Sequence, residues 1–202
     1  MGCRQNRFEE SVLEDFEAAT PFNRVEIYHA FDRFLELHQQ YRLAASSNPD
    51  ESFTAPGDRD YLDADGFINP EFSLPAEFIA THMPQLKENP FAKRMLDIFI
   101  ATDSGQMTFI EFLDMVSTFS PKNSREKKTA HAFQIFDIDQ DGLISREDMY
   151  VMLDMITDEP LNESVKKKVV DEVLIEVNKK DADGLNTEDF HYAISRSPDF
   201  AR

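Results

Sequence analysis

The chain has 202 residues, and acidic residues outnumber basic ones by 39 to 21, which gives a net charge of −18. A surface of this charge repels nucleic acid and favours cations or basic, amphipathic partners. A hydrophobic content of 41% argues against disorder, and the single cysteine, Cys3, excludes an internal disulfide. Since no apolar run reaches the ~18 residues that a membrane span needs, we expect a soluble, cytoplasmic protein.

The first six residues, Met-Gly-Cys-Arg-Gln-Asn, resemble the start of an N-myristoylated protein. Removal of Met1 would expose Gly2 for acylation, and Cys3 beside it offers a site for a second, palmitoyl chain. Asn6 stands where serine or threonine is preferred, so the alternative is a disordered start that happens to begin Met-Gly. If Gly2 and Cys3 are acylated, the protein associates with membranes.

Apolar residues at helical spacing predict helices in the first half of the chain. Residues 9–20 predict an amphipathic helix that ends at Pro21, and Asn23 is placed to cap the next one. Residues 46–60 are rich in Ser, Pro, Asp and Gly and predict a loop or insertion. Residues 74–86 predict a short helix interrupted by turns.

The same periodicity continues on both sides of a linker predicted at residues 120–124. Before it, one helix begins near Pro90 and another follows a turn at Gly105. After it, helices flank residues 137–148, and two more are predicted at 165–177 and 187–195. No strand-period segment of useful length occurs. The sequence therefore predicts an all-α protein built from repeated helix–loop–helix units.

Residues 137–148 fit the pattern of an EF-hand metal loop, in which alternating side chains direct oxygen atoms at a hard cation. Asp137, Asp139 and Asp141 occupy positions one, three and five, and Gly142 permits the sharp turn at position six. The apolar residue at position eight predicts that the loop pairs through a short strand with a partner loop. The pattern indicates a Ca²⁺ or Mg²⁺ site.

Position twelve of this loop is Asp148, where calcium loops usually carry a glutamate that binds through both oxygens. Aspartate is one methylene shorter, so we expect it to reach the ion through one oxygen unless the loop contracts. A contracted, six-coordinate site suits Mg²⁺ better than Ca²⁺. We therefore predict moderate Ca²⁺ affinity and Mg²⁺ binding in the resting cell, with four ligands: Asp137, Asp139, Asp141 and Asp148.

Two other loop candidates lack most ligands. Around Gly105, Glu111 fits position twelve, but positions one, three and five fall on Ile100, Thr102 and Ser104, so this loop is predicted to be structural. When residues 63–66, Asp-Ala-Asp-Gly, are aligned on their glycine, positions one and twelve fall on two aromatic residues, Tyr61 and Phe72. Neither loop is expected to bind metal.

Residues 181–184 repeat the sequence Asp-Ala-Asp-Gly and allow two alignments. If the glycine holds position six, Lys179 and Phe190 stand at positions one and twelve, and the loop 179–190 lacks its end ligands. If Asp189 holds position twelve, the loop has lost one residue near position seven. Partial binding then remains open, through Asp181, Asp183 and Asp189. In both cases we expect this loop to pair with the 137–148 loop.

Four segments carry a resemblance to a known family: Leu86–Phe91, Phe109–Ser120, Ala132–Asp137 and Ile194–Phe200. Together they resemble the calcium- and integrin-binding protein family, which is related to the regulatory B chain of calcineurin. The resemblance covers about residues 16–200, apart from the stretch between His38 and Leu74. Family members have four EF-hands, of which the first two are inactive and the third carries an aspartate at position twelve, as Asp148 does here.

The resemblance implies an EF-hand superfamily fold of four helix–loop–helix units in two lobes. It also implies binding of Mg²⁺ as well as Ca²⁺ at the third hand, whereas the damaged 179–190 loop departs from the family's calcium-binding fourth hand. We predict the following division: an extension over 1–22, a degenerate EF-hand pair over 23–120 with an insertion at about 39–73, and a second pair over 121–202.

EF-hand pairs respond to metal by exposing an apolar groove that accepts an amphipathic helix. We therefore expect a non-enzymatic, metal-responsive adaptor, and the resemblance implies partners such as integrin tails, kinases or channel segments. The alternatives are a dedicated calcineurin-B-like regulatory subunit of a phosphatase or kinase, and a cation buffer. The expected groove residues are Met149, Met152, Leu153, Met155, Ile156, Val169, Val173, Leu174 and Ile194. Five scattered histidines show no catalytic spacing.

Overall fold

The computed structural model describes residues 7–47, 61–101, 104–157, 161–177 and 183–196. The chain divides into two compact units, Met1–Asn123 and Ser124–Arg202, which are here called unit 1 and unit 2. Most of the described residues are helical, and the strands are two or three residues long. The predicted all-α EF-hand class is confirmed.

Unit 1 contains six helices and two strands within its described residues. They are α1 Glu10–Ala19, α2 Arg24–Ser47, β1 Ser73–Pro75, α3 Ala76–His82, α4 Pro84–Lys87, α5 Ala92–Phe99, β2 Gln106–Thr108 and α6 Phe109–Thr118. Asn23 caps α2 as predicted, because its side-chain oxygen accepts the Glu26 N–H at 3.1 Å and Glu26 accepts the Asn23 N–H at 3.0 Å. α2 continues to Ser47, so the insertion predicted to begin near residue 39 starts inside a helix.

The core of unit 1 is rich in aromatic side chains. Phe34, Phe109 and Phe112 are fully buried, and Phe8, which precedes α1, lies against the Phe109 ring with 5.3 Å between ring centroids. His38 is buried with its ring edge against Phe72, so it is part of the core packing. This core fixes the start of the described chain to the body of unit 1.

Unit 2 contains four helices and two strands within its described residues: α7 Arg125–Phe136, β3 Ile144–Ser145, α8 Arg146–Ile156, α9 Glu163–Glu176, β4 Gly184–Leu185 and α10 Thr187–Arg196. α7 packs against α10, and α8 packs against α9. The core is formed by seven residues from these helices and strands, namely Phe133, Ile144, Met149, Val170, Leu174, Leu185 and Phe190.

Each unit joins its two loops through a short antiparallel ladder. In unit 1, Leu74 lies opposite Met107, and in unit 2, Ile144 lies opposite Leu185. The pairing expected at Ile144 is therefore present, whereas β1 could not be found by periodicity, because three residues are too few to show alternation. No helix among the described residues is long and apolar enough to cross a membrane.

Candidate metal centre

The loop 137–148 joins α7 to α8, and hydrogen bonds fix both of its ends. The Ser124 side chain caps α7 by accepting the Lys127 N–H, and the Asp137 N–H closes the last turn on the Phe133 carbonyl at 2.8 Å. Asp137 is therefore the residue at which the helix ends. Its side chain starts from a fixed backbone and is 6% exposed.

Three of the four predicted ligands converge. Asp137, Asp139 and Asp141 each offer a carboxylate oxygen, and these atoms lie within 4.8 Å of one another. The loop turns them inward with its own N–H groups: Asp137 accepts from Asp141 at 3.1 Å and from Gly142 at 3.0 Å, and Asp141 accepts from Leu143 at 2.8 Å. The geometry thus fits the pattern that the sequence predicts.

Two residues of this turn have a positive φ, and the sequence predicted only one of them, Gly142. Gly142 has a φ of 89°, the left-handed conformation that glycine adopts without steric cost. Gln140 at position four also has a positive φ, of 62°, which costs a residue with a side chain on the order of 1 kcal/mol. No signal in the sequence identifies Gln140, because glutamine has no preference for this conformation.

Asp148 ties the two ends of the loop together. Its Oδ2 accepts from the Ser145 N–H at 2.8 Å and from the Ser145 hydroxyl at 2.7 Å, while Ser145 Oγ accepts the Asp148 N–H, which completes a capping box. Its Oδ1 accepts the Ile138 N–H at 3.2 Å. Asp148 is 4% exposed and is not one of the carboxylates that lie within 4.8 Å of one another.

The donor set fits a hard divalent cation. The four aspartates supply only oxygen atoms, which Ca²⁺ and Mg²⁺ prefer over nitrogen or sulfur. The nearest cationic side chain in sequence, Arg146, is engaged with Asp171 at 2.6 Å. Asp137, Asp139 and Asp141 would therefore hold the ion, and Asp148 would complete the site after a change in its hydrogen bonds.

The loop of residues 100–111 closes in the same way without the converging carboxylates. Glu111 accepts the Thr108 N–H and the Ala101 N–H, both at 2.7 Å, and forms a capping box with Thr108. Gly105 makes the turn with a φ of 67°. Position one is the apolar Ile100, and Thr102 lies outside the described residues. This loop has an EF-hand form and lacks the charge at positions one, three and five.

The alignment of residues 63–66 on Gly66 is wrong. Asp63 accepts the N–H groups of Asp65 and Phe67, and a bridge between Leu62 and Ile68 closes a separate hairpin. The residue that pairs with position eight of the neighbouring loop is Leu74, which moves position twelve from Phe72 to Phe78. An Asp-x-Asp-Gly sequence forms a tight turn by itself, whether or not a helix follows it.

The strand register also decides between the two alignments of the fourth loop. Leu185 lies opposite Ile144 and so holds position eight, which places Asp189 at position twelve. Gly184 is a residue of β4, and the two strands approach so closely there that a Cβ would collide with the Ile144 carbonyl oxygen. The close pairing therefore requires glycine at this position. The alignment that puts this glycine at position six is therefore wrong. Residues 178–182, including Asp181, lie outside the described residues.

An apolar cleft of about 170 Å³ in unit 2 adjoins the metal loop. Six of its residues were predicted from the sequence: Met149, Met152, Leu153, Ile156, Val169 and Val173. Five more were not: Phe136, Ile144, Val170, Leu185 and Phe190. Of the remaining predicted residues, Leu174 is fully buried in the core, Met155 is exposed outside the cleft, and Ile194 packs against the core.

The comparisons with known proteins assign a family. No protein-family profile matches the chain. Over 201 residues the chain is 33% identical to calcium and integrin-binding family member 2 of Drosophila melanogaster and of Homo sapiens, covering 99% of this chain and 96% of each relative. It is 32% identical to the calcineurin B protein of Candida glabrata over 195 residues, which cover 96% of this chain and 91% of that protein. The chain belongs to the calcium- and integrin-binding protein family of EF-hand proteins.

Proposed function

We propose that this protein is a non-enzymatic regulatory adaptor that binds Ca²⁺ or Mg²⁺ at the 137–148 loop and captures an amphipathic helix in unit 2. The observation that carries the proposal is the direct connection between the two sites. Asp148, which closes the loop, is followed by Met149, which lines the cleft. A cation that draws Asp148 inward therefore acts on the helix that forms one wall of the cleft.

The cleft as it stands is too small for a helix. Its volume of about 170 Å³ is below the range of even small-molecule pockets, so it accommodates a few side chains. EF-hand sensors open when metal rotates the exit helix away from the entry helix. Here the exit helix is α8, and its cleft residues include Met149, Met152 and Leu153. The two methionine side chains are flexible and can adapt to the shape of a partner.

The partner that fits this cleft is an amphipathic helix with basic flanks. The walls are apolar, and the chain carries a net charge of −18, so positive residues beside the partner's apolar stripe are favoured. The names of the curated relatives support an integrin tail as one such partner. We propose segments of kinases or channels as further partners, where they have an apolar stripe with basic flanks.

Magnesium is proposed as the resting ion because of how Asp148 is held. Its Oδ2 has two short hydrogen bonds from Ser145, whereas its Oδ1 has one longer bond, from the Ile138 N–H at 3.2 Å, so Oδ1 is the oxygen better placed to turn toward an ion. A single oxygen at position twelve favours the six-coordinate geometry of Mg²⁺. Calorimetric titration of each ion in the presence of the other tests this, and Ca²⁺ binding that is indifferent to millimolar Mg²⁺ would contradict it.

The switch as a whole is tested by replacing the four aspartates with alanine. We expect the parent to bind an apolar fluorescent dye more strongly after Ca²⁺ is added, since the cleft widens. The variant with Asp137→Ala, Asp139→Ala, Asp141→Ala and Asp148→Ala should lose both the metal binding and the dye response. Equal dye responses in parent and variant would show that the proposed switch does not exist.

A second candidate function is that of a dedicated regulatory subunit for one phosphatase or kinase. The 32% identity to a calcineurin B protein over nearly the whole chain favours it. A pull-down that returns one stoichiometric catalytic partner supports this candidate, whereas several partners with short apolar helices support the adaptor.

Membrane association is proposed through Gly2 and Cys3, with the protein otherwise in the cytoplasm. Phe8 is buried in unit 1, so an acyl chain on Gly2 would be tethered only six residues from a fixed point. Mass spectrometry of the native N-terminal peptide tests for both acyl groups, and an unmodified or merely acetylated peptide would refute the anchor.

A further inference from the structure

The cleft of unit 2 is built by two EF-hands, whereas the converging carboxylates belong to one loop. One side of the cleft is formed by α8 and α9, which pack against each other, and α7 and α10 contribute one phenylalanine each, Phe136 and Phe190. A cation that draws Asp148 inward acts directly on α8, and it reaches the partner loop through the short ladder of Ile144 with Leu185. If α9 stayed in place while α8 moved, the two helices would separate and the side of the cleft that they form together would be lost.

An ion pair joins α8 and α9 at the end nearest the metal loop. Arg146, the first residue of α8, holds Asp171 of α9 with 2.6 Å between guanidinium nitrogen and carboxylate oxygen. Both side chains are partly buried, at 24% and 39% exposure. The Arg146 N–H also donates to the Asp183 carbonyl of the partner loop at 3.2 Å. Arg146 thus contacts the metal loop, the partner loop and α9 together.

A second ion pair joins the same helices at the other end. Lys166 of α9 places its ammonium 2.7 Å from Asp154 of α8 and 3.5 Å from Glu163. The Lys166 side chain is only 9% exposed, and its hydrogen bond to Asp154 raises its pKa, so the ammonium stays charged. The two pairs lie eight residues apart on α8 and five apart on α9. Most cleft residues of both helices fall between them in sequence, whereas Ile156 and Val173 lie two residues beyond Asp154 and Asp171.

We propose that these two ion pairs make α8 and α9 a single moving body, so that one cation at the 137–148 loop opens the part of the cleft built by both hands. The inference rests on the proposed metal switch and adds how it reaches α9. Arg146 and Lys166 are positioning residues, since their side chains bind Asp171 and Asp154 and do not line the cleft. Apolar contacts between the helices are non-directional, whereas a directional ion pair at each end fixes the register of the two helices.

The experiment measures two distances by spin labelling in a Cys3→Ser background. Labels at Ala130→Cys on α7 and Val151→Cys on α8 report the movement of α8. Labels at Ala130→Cys and Val165→Cys on α9 report the movement of α9. All three positions are exposed. Each pair is measured in the full chain with chelator and with saturating Ca²⁺.

The test variant carries Asp154→Asn and Asp171→Asn, which keep the side-chain shape while removing both ion pairs. The matched control, Glu172→Gln with Glu176→Gln, removes the same charge from exposed positions of α9. Circular dichroism checks that each variant is folded. A charge swap, Arg146→Asp with Asp171→Arg, tests whether a restored pair restores the coupling.

In the parent and the control, Ca²⁺ should change both distances. In the test variant the α7–α8 change should persist, Ca²⁺ affinity should stay within about fivefold of the parent, and the α7–α9 change should fall below about half. The single variant Asp171→Asn is measured beside the charge swap. The charge swap should allow a larger Ca²⁺-dependent change in the α7–α9 distance than this single variant does.

Two results would overturn the inference in different ways. An α7–α9 change as large in the test variant as in the parent would show that the ion pairs do not couple the helices, and the proposed switch would stand. No α7–α8 change in the parent at saturating Ca²⁺ would refute the switch itself, and the coupling with it.

Discussion

The loops 100–111 and 137–148 close by the same hydrogen bonds and differ in charge. In each, the carboxylate at position twelve accepts from the N–H of position two and from the residue that caps the exit helix, through Glu111 in one and Asp148 in the other. In each, a glycine at position six has a positive φ. Only the second loop has carboxylates at positions one, three and five.

This comparison separates what folds an EF-hand loop from what binds the ion. The glycine, the short strand, the helix cap and the last carboxylate form the loop by protein–protein hydrogen bonds. The three carboxylates before the glycine add mutual repulsion that a cation would relieve. The form of a loop therefore does not identify a metal site, and its charge does.

The largest expected effect comes from removing two exposed carboxylates of the charged loop. Asp139→Ala with Asp141→Ala should weaken Ca²⁺ binding by at least about 100-fold, because two of the four predicted charged ligands are removed. Calorimetry measures this. The matched control is Asp63→Ala with Asp65→Ala, which removes two carboxylates at the same spacing from the hairpin of unit 1. An equal loss of affinity in the control would place the ion elsewhere.

The next effect tests the glycine that joins the two loops of unit 2. Gly184→Ala should destabilise unit 2 by about 2 kcal/mol, because the new methyl group meets the Ile144 carbonyl oxygen and separates the strands. Thermal unfolding in chelator measures the loss. Gly66→Ala is the control. A Cβ at Gly66 meets no atom, but the φ of 83° is strained for alanine, so this change adds only backbone strain and affects unit 1. Unchanged stability of Gly184→Ala would contradict the observed register.

A smaller effect, on the preference for Ca²⁺ over Mg²⁺, is expected when the 137–148 loop receives the glutamate that the 100–111 loop has at position twelve. Asp148→Glu should raise Ca²⁺ affinity about tenfold relative to Mg²⁺, since glutamate can bind Ca²⁺ through both oxygens. Glu111 shows that glutamate at this position forms the same capping box in this chain. Competition titrations of the two ions measure the ratio, and an unchanged ratio would mean that Asp148 does not set the preference.

The smallest effect concerns the loop without the carboxylates. Glu111→Gln should destabilise unit 1 by about 1 kcal/mol, because the two carboxylate oxygens accept from Ala101 and Thr108 separately. Glutamine keeps one accepting oxygen, so one of these hydrogen bonds becomes neutral and the other is lost. Denaturant unfolding measures the change, which should be equal in chelator and in Ca²⁺. A destabilisation that appears only when Ca²⁺ is removed would indicate that this loop binds metal after all.

Much of the fold was accessible from the sequence because its signals are local. The helix limits, the Asn23 cap and the loop 137–148 depend on residues within a few positions of one another. The two wrong alignments share one cause. Glycines at residues 66 and 184 follow the same Asp-Ala-Asp sequence, but one makes a hairpin turn and the other permits close strand pairing. Only the partner strand, distant in sequence, distinguishes these uses.

The site was predicted in part for the same reason. Asp137, Asp139 and Asp141 could be identified from spacing alone, whereas the capping role of Asp148 depends on Ile138 and Ser145, which bring the two loop ends together. The ion pairs of Arg146 and Lys166 join α8 and α9, which belong to different EF-hands. Charge pairs of this kind have no sequence signature, because many other pairings are equally compatible with the composition.

The most direct test of the metal switch is a Ca²⁺ titration followed by methyl NMR of the methionines. We expect saturation at one ion per chain, with shifts at Met149 and Met152 in the cleft of unit 2 and none at Met107, which is buried in the core of unit 1. A bound ion that leaves Met149 and Met152 unchanged would contradict it, whereas a second bound ion would indicate partial binding at the 179–190 loop.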